Sequence, residues 1–341
     1  MISTFVLAAT LCIAVSCGGG MSFKIDGKGL LTMTAGGNTE ISPSPVGMAC
    51  VDGKLYAPLS AKVESDRITL AFECGEVVLS RKVRADNSLR LEVVGIDDGI
   101  DTFFFGPYEC PQCNGVGDIV GAAWHEDGSL ICIQSLNPKT VGQFIGEAYM
   151  PETNDTGFHG PGLKVAALEG DKAFLSCHAD NFTRPRTVPF IPSGLKDVVS
   201  EVIPAPEGSI VGAAVIVTRA DDSDEMLQKI SRIELEEGLP HPTLGGEWAK
   251  TSPHASDIYF DFAGGDIEQQ IRIVERAGAN WIYYSDPFES WGQFEVSTGK
   301  FPGGDPQFKE SVDKALSHGI NVGTHTLSIC GKVQPGKNPY R

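Results

Sequence analysis

Residues 257–325 read DIYFDFAGGDIEQQIRIVERAGANWIYYSDPFESWGQFEVSTGKFPGGDPQFKESVDKALSHGINVGTH, and this stretch decides the fold. Ile258–Phe262 is a short apolar run of the kind that forms a buried strand. Asp266 then stands where a helix N-cap is needed, followed by Ile267, Ile271 and Val274 on one face and Gly278 as the stop. Trp281–Tyr284 reads as a second strand, with Ser285-Asp286-Pro287 at its carboxyl end. Asp305-Pro306 predicts a cap and N1 proline for a helix that turns Phe308, Val312, Ala315 and Leu316 inward. Gly319 ends that helix, and Ile320–Thr324 forms a third strand closing on His325. A β/α ladder of this kind runs for about six to eight units before it closes into a barrel. Residues 257–341 are therefore expected to be the first three β/α units of a truncated TIM barrel, the front of a longer protein.

Parallel barrels build their sites at the carboxyl ends of the strands, which singles out Asp261, Asp286 and His325. Each has a structural alternative: Asp261 as an orienter of the next turn, Asp286 as a turn aspartate, His325 as an inward-facing core histidine. In the loop after the second strand, Phe288, Trp291 and Phe294 offer rings that stack on sugar C–H faces or anchor the loop to the preceding domain. Glu289 and Gln293 supply hydrogen-bonding groups beside them.

Upstream of this ladder the periodicity changes. From about Met21 to Thr218 the chain alternates at period two, as in Ile68, Leu70, Phe72 and again Leu89, Leu91, Val93, with turn residues Gly75 and Asp86-Asn87 between. Such runs predict a large antiparallel β-super-sandwich, with further strands at Gly121–Trp124, Leu130–Gln134, Ala173–His178 and Ile210–Thr218. A bridging helix follows, with Asp222 and Glu225 as an acidic capping box, Met226, Ile230 and Ile233 as its apolar face, and Gly238 as its stop. The expected organisation is a leader and linker over 1–20, a sandwich over 21–221, the helix and linker over 222–256, and the partial barrel from 257.

The leader MISTFVLAATLCIAVS is apolar and uncharged and runs into Cys17-Gly18-Gly19-Gly20. It is too short to span a membrane and has the length of a signal-peptide core. Ala14-Val15-Ser16-Cys17 is similar to a bacterial lipobox, which predicts export and lipidation at Cys17. A plain secretory signal and an N-terminal strand are the alternatives. Of the remaining cysteines, Cys110-Pro-Gln-Cys113 resembles half of a zinc knuckle, yet a structural zinc site needs four ligands and no second C-x-x-C is present. A loop disulfide or a pair of free thiols is expected there. A net charge of −17 argues against nucleic acid as a partner. The chain carries neither a G-x-x-x-x-G-K-[ST] phosphate loop nor a G-x-S-x-G elbow, and no cofactor is expected.

The run Asp286-Pro-Phe-Glu-Ser-Trp291-Gly-Gln-Phe294, then Lys300-Phe-Pro-Gly-Gly304 and His318-Gly-Ile-Asn-Val-Gly323, is similar to the melibiase (α-galactosidase) clan of glycoside hydrolases. Phe105-Gly-Pro107 and Ile133–Thr140 likewise resemble segments of bacterial lipoproteins that carry a galactose-mutarotase-like sandwich before a barrel. The resemblance implies a retaining hydrolase with two carboxylates about 5–5.5 Å apart, supplied by strands beyond residue 341. It implies that Asp286 binds sugar hydroxyls, Asp261 supports the pocket floor, His325 donates to a hydroxyl or orients a carboxylate, and Trp291 shapes the subsite beside Glu289. The expected partner is an exogenous oligo- or polysaccharide, with membrane contact only through a lipid on Cys17. The alternative is a surface glycan-binding lipoprotein without catalysis.

Overall fold

The computed structural model describes residues 13–16, 20–52, 54–117, 121–142, 166–183, 185–189, 199–202, 204–205, 207–289 and 294–324. Two compact units divide the chain, Met1–Pro240 and His241–Arg341. An antiparallel β-sandwich fills the first, and a partial β/α region fills the second.

In the first unit, an eight-stranded sheet runs in the order Cys113–Gly117, Ala122–His125, Leu130–Ser135, Ala214–Ala220, Leu89–Ile96, Gly75–Val83, Arg67–Phe72, Ser60–Val63. A second sheet centres on Lys172–Asp180, Thr102–Cys110 and Gly47–Val51. A third joins Ile13–Ser16, Met21–Ile25, Leu30–Ala35 and Asn38–Pro45. The alternating residues behave as their period requires. Ile68, Leu70, Leu89, Leu91 and Val93 are fully buried in one core with Phe23, Leu31, Phe103, Phe105 and Leu175.

The strand expected from Ile210 begins at Ala214 instead. Gly212 adopts a positive φ and Ala213 N–H donates to the Ile210 carbonyl, so residues 210–213 form a turn. The strand that follows is apolar over its first four residues, Ala214 to Val217, because both of its faces are buried there. Val215 and Val217 enter the main core, while Ala214 and Ile216 meet helix α1 (Ser223–Glu237). Burial on two faces removes the polar half of the alternation. Asp222 caps α1 by accepting from Glu225 N–H at 2.8 Å. Glu225 reaches back to the N–H of Asp221, one residue earlier than a reciprocal box requires. Met226 packs on Cys132 and Ala220, Ile233 packs on Leu136 and Ile216, and Gly238 stops the helix in the left-handed conformation. No helix among the described residues is long and apolar enough to cross a membrane.

The second unit holds three parallel strands, Tyr259–Asp261, Trp281–Tyr284 and Asn321–Thr324, in chain order across the sheet. Helices α2 (Ile267–Ala277) and α3 (Gly304–Ser317) connect them. Ile271, Val274, Ile282, Tyr284, Phe301, Ala315 and Ile320 form the core between helices and sheet. Asp266 caps α2 by accepting from Glu268 N–H at 3.0 Å. The cap expected at Asp305 lies at Gly303, whose N–H donates to Gln307 Oε1 at 2.7 Å. The Phe301–Gly304 turn begins the helix early enough to place Asp305 inside its first turn. Leu316, expected inward, is 52% exposed, because Ser311 and Ala315 hold the centre of the buried stripe and Leu316 lies at its edge.

Candidate functional site

The carboxyl ends of the three parallel strands carry the polar groups. In a strand successive side chains alternate between faces. Ile282 and Tyr284 go to the helix side, where both are buried. Tyr259, Asp261, Trp281 and Tyr283 therefore share the opposite face. The Tyr259 and Tyr283 rings meet edge to face at 5.5 Å, and Tyr259 is 61% exposed. Gly323 of the third strand pairs with Tyr283, and a Cβ there would stand at ordinary contact distance, 3.6 Å, from the Tyr283 ring. The result is an aromatic surface with a carboxylate at its end.

Asp261 is exposed, and its Oδ1 accepts from Ser285 N–H at 3.3 Å. This bond links the end of the first strand to the segment that carries Asp286. The Asp286 carboxylate is 57% exposed and pairs with Lys300 Nζ at 2.8 Å, while Lys300 also donates to the Asp286 carbonyl. Gly264 explains how Lys300 comes so close to the first strand's loop. Its φ is 134°, and a Cβ there would lie 2.9 Å from the Lys300 carbonyl oxygen. The loops after the first two strands are thus one packed rim, and it brings Asp261 and Asp286 together.

Glu289 has a different place. Its Oε1 accepts from Thr298 N–H at 3.1 Å and from the Ser297 hydroxyl at 3.3 Å. Glu289 N–H donates to the Glu295 carbonyl and Ser297 N–H to the Pro287 carbonyl, which closes the 287–298 loop on itself. The Phe288 and Phe294 rings pack within their own unit. They meet each other at 5.5 Å, and Phe288 meets Phe308 of α3 at 6.2 Å. Beneath them Tyr284 donates from its hydroxyl to Gln270 Oε1 at 2.6 Å, and Gln270 donates onward to the Gly264 carbonyl at 2.8 Å. Burial pushes the Tyr284 phenol up to about 12, so it remains a donor across the neutral range. That chain of bonds fixes Gly264, and with it the rim, from below.

Trp291, Gln293, His325 and the lipidation position Cys17 lie outside the described residues. Tyr259, Tyr283 and Lys300 belong to the site without having been singled out from the sequence. For the two tyrosines the signal was the two-residue period itself, because a parallel strand with helices on one face still points every second side chain to the other; Lys300 lies on a loop and carried no such signal. Among the described residues, no group of three or more His, Cys, Asp or Glu is placed to hold a metal ion.

No protein-family model matches this chain, and no curated protein matches it. Among solved structures, a GH31 α-xylosidase from a soil metagenome, complexed with xylose, is 14% identical over 94% of this chain and 47% of its own, with a TM-score of 0.25. A GH31 dextranase variant from Flavobacterium johnsoniae, complexed with isomaltotriose, is 12% identical over 93% of this chain and 38% of its own, with a TM-score of 0.26. The chain spans less than half the length of either. Superpositions this loose define no residue correspondence.

Proposed function

We propose that the rim of the β/α region binds a carbohydrate, as the sugar-recognising part of a carbohydrate-active protein. The observation that carries this reading is the placement of Asp261 at the end of the Tyr259–Tyr283 face, tied through Ser285 to Asp286. A pyranose presents C–H groups on its faces and hydroxyls around its edge. Aromatic rings take the first, and carboxylates accept hydrogen bonds from the second. Asp261 and Asp286 bind hydroxyls, and Lys300 holds Asp286 in place. The melibiase resemblance assigns Trp291 and His325 to sugar binding as well, while Glu289 supports the site by holding its own loop closed.

Binding is the primary role, and retaining hydrolysis by a longer protein is the finer reading that the melibiase resemblance supports. Such hydrolysis needs a nucleophile and an acid/base about 5–5.5 Å apart, and in this account Asp261 and Asp286 are binding groups rather than that pair. Export with a lipid on Cys17 would present the rim to exogenous glycans. The test is a glycan array probed with the intact chain, with the bound sugars then incubated and their products separated by chromatography. Retention of neutral oligosaccharides that is lost in Asp286→Ala supports the binding role. No retention of any glycan would remove it, and cleavage by this chain alone would replace it with catalysis.

A further inference from the structure

A second chemical cluster lies in the sandwich, far along the sequence from the β/α region. Cys110 ends a strand of one sheet and Cys113 begins the edge strand of another. Between them Pro111-Gln112 forms a turn in which Gln112 has φ 56°, the proline-then-positive-φ pattern of a type II turn. Such a turn brings the first and fourth Cα atoms within about 7 Å, and a disulfide spans about 4.4–6.8 Å between Cα atoms. Both thiols are free in this structure.

The surroundings of the two sulfurs differ. Cys110 is closed off, while Cys113 keeps 3% of its surface between the exposed residues Gln112 and Asn114. His125 stands over Cys113, with Nδ1 at 4.0 Å from Sγ and 3.0 Å from the Gln112 carbonyl oxygen. Its Nε2 lies 3.3 Å from Glu40 Oε2, a charge contact. Glu40 is nearly fully buried and held at its other oxygen by Arg219 Nε at 3.0 Å. Arg219 in turn pairs with Asp221, and Asp127 lies near enough to feel the His125 charge. Carbonyl and carboxylate oxygens only accept, so both ring nitrogens face acceptors and the ring is arranged to hold a proton at each. Consistent with this, contact with Cys113 and then with Glu40 pushes the His125 ring up to about 10. Burial holds the Cys110 thiol well above its usual value, with the charges of Cys113, Glu40 and Glu109 adding to that.

We propose that Cys110 and Cys113 form a thiol–disulfide exchange site that reduces small or exposed disulfides, with Cys113 as the attacking sulfur, His125 as the holder of its proton, Glu40 as the residue positioning His125, and Cys110 as the resolving thiol. Cys113 Sγ attacks one sulfur of a disulfide R–S–S–R, the S–S bond breaks, and one R–S⁻ leaves and takes a proton. Cys110 Sγ then attacks the Cys113 sulfur of the mixed disulfide, the second R–S⁻ leaves, and the Cys110 proton goes to it. The protein dithiol is oxidised to a Cys110–Cys113 disulfide, and R–S–S–R is reduced to two R–SH.

The experiment uses the reduced full chain with Cys12, Cys17, Cys74 and Cys330 replaced by serine, since Cys74 is half-buried and the other three lie outside the described residues, so that none of them adds to the count. The probe is 5,5′-dithiobis-(2-nitrobenzoate) under native conditions, read by thionitrobenzoate release and peptide mass mapping. The expected result is two thiolates released per chain in the first phase, with the Cys110–Cys113 peptide two hydrogens lighter and carrying no adduct. Cys110→Ser is expected to release one and to keep a stable adduct on Cys113. His125→Gln is expected to slow the first phase about tenfold or more at neutral pH, and Glu40→Gln to slow it in the same direction in a chain with its buried shape intact. A native chain in which Cys113 stays unmodified would overturn the proposal. So would a stable adduct on Cys113 with Cys110 intact, or unchanged rates in both the His125 and Glu40 variants.

Discussion

Replacing Phe301 by alanine should unfold the β/α region at far lower denaturant while leaving the sandwich unchanged. Phe301 has no exposed surface, and its ring packs edge to face on Tyr284 at 5.3 Å and on Phe308 at 5.0 Å. A buried aromatic removes about 150–250 Å² from water, worth about 4–6 kcal/mol at about 25 cal/mol per Å². Partial collapse of the cavity brings the expected loss to about 3–5 kcal/mol. With a urea m-value of about 1.5 kcal/mol/M for a unit of this size, the midpoint should fall by about 2–3 M. Tryptophan fluorescence of the full chain reports this, because Trp248, Trp281 and Trp291 belong to the second unit and Trp124 to the first. Hydrogen exchange in sandwich peptides checks that the effect stays local. A loss below about 1 kcal/mol, or one felt equally in the sandwich, would refute this account of the core.

Gly264→Ala should cost about 1–3 kcal/mol, through the positive φ and the clash with the Lys300 backbone, and should weaken glycan binding because it moves Lys300 away from Asp286. Paired melting curves and binding titrations test both effects. Asp222→Ala removes the side-chain acceptor for Glu225 N–H and should lower sandwich stability by about 0.5–2 kcal/mol in thermal melts. For His125 the folded value of about 10 lies above the ordinary 6.5. Its contribution is therefore complete below about pH 6.5 and fades as pH rises through about 10. The stability difference between the parent chain and His125→Gln should shrink over that window, and a difference that grew with pH would invert the assignment.

Elements whose side chains face one solvent and one core were legible in the sequence. The sets Ile68/Leu70/Phe72 and Leu89/Leu91/Val93, the caps Asp222 and Asp266, and the strand Trp281–Tyr284 all follow from period and capping chemistry. Where local rules compete with tertiary contact, the reading slipped. Asp305-Pro306 has the composition of a helix start, but the buried Phe301 ring sets the turn that precedes α3, and Gln307 takes the capping role. Phe288 was open to reading as a sugar platform or as a loop anchor, because its partner Phe308 lies on the next helix, beyond the reach of any local pattern. At the site, Asp261 and Asp286 could be named from strand ends, whereas the Asp286–Lys300 pair could not. Its partners are 14 residues apart and meet only because Gly264 admits the Lys300 backbone. The Cys113–His125–Glu40 cluster joins three strands, and only the Cys-x-x-Cys spacing marked it in the sequence.

The central claim is that a sugar lies on the Tyr259–Tyr283 face with its hydroxyls on Asp261. Calorimetric titration of an array-selected oligosaccharide into the full chain, beside Asp261→Asn and Tyr283→Ala, tests it directly. Loss of two charge-assisted hydrogen bonds, or of one stacking ring, should each weaken binding by about tenfold or more. Parent-like affinity in both variants, with the fold intact by circular dichroism, would contradict the claim.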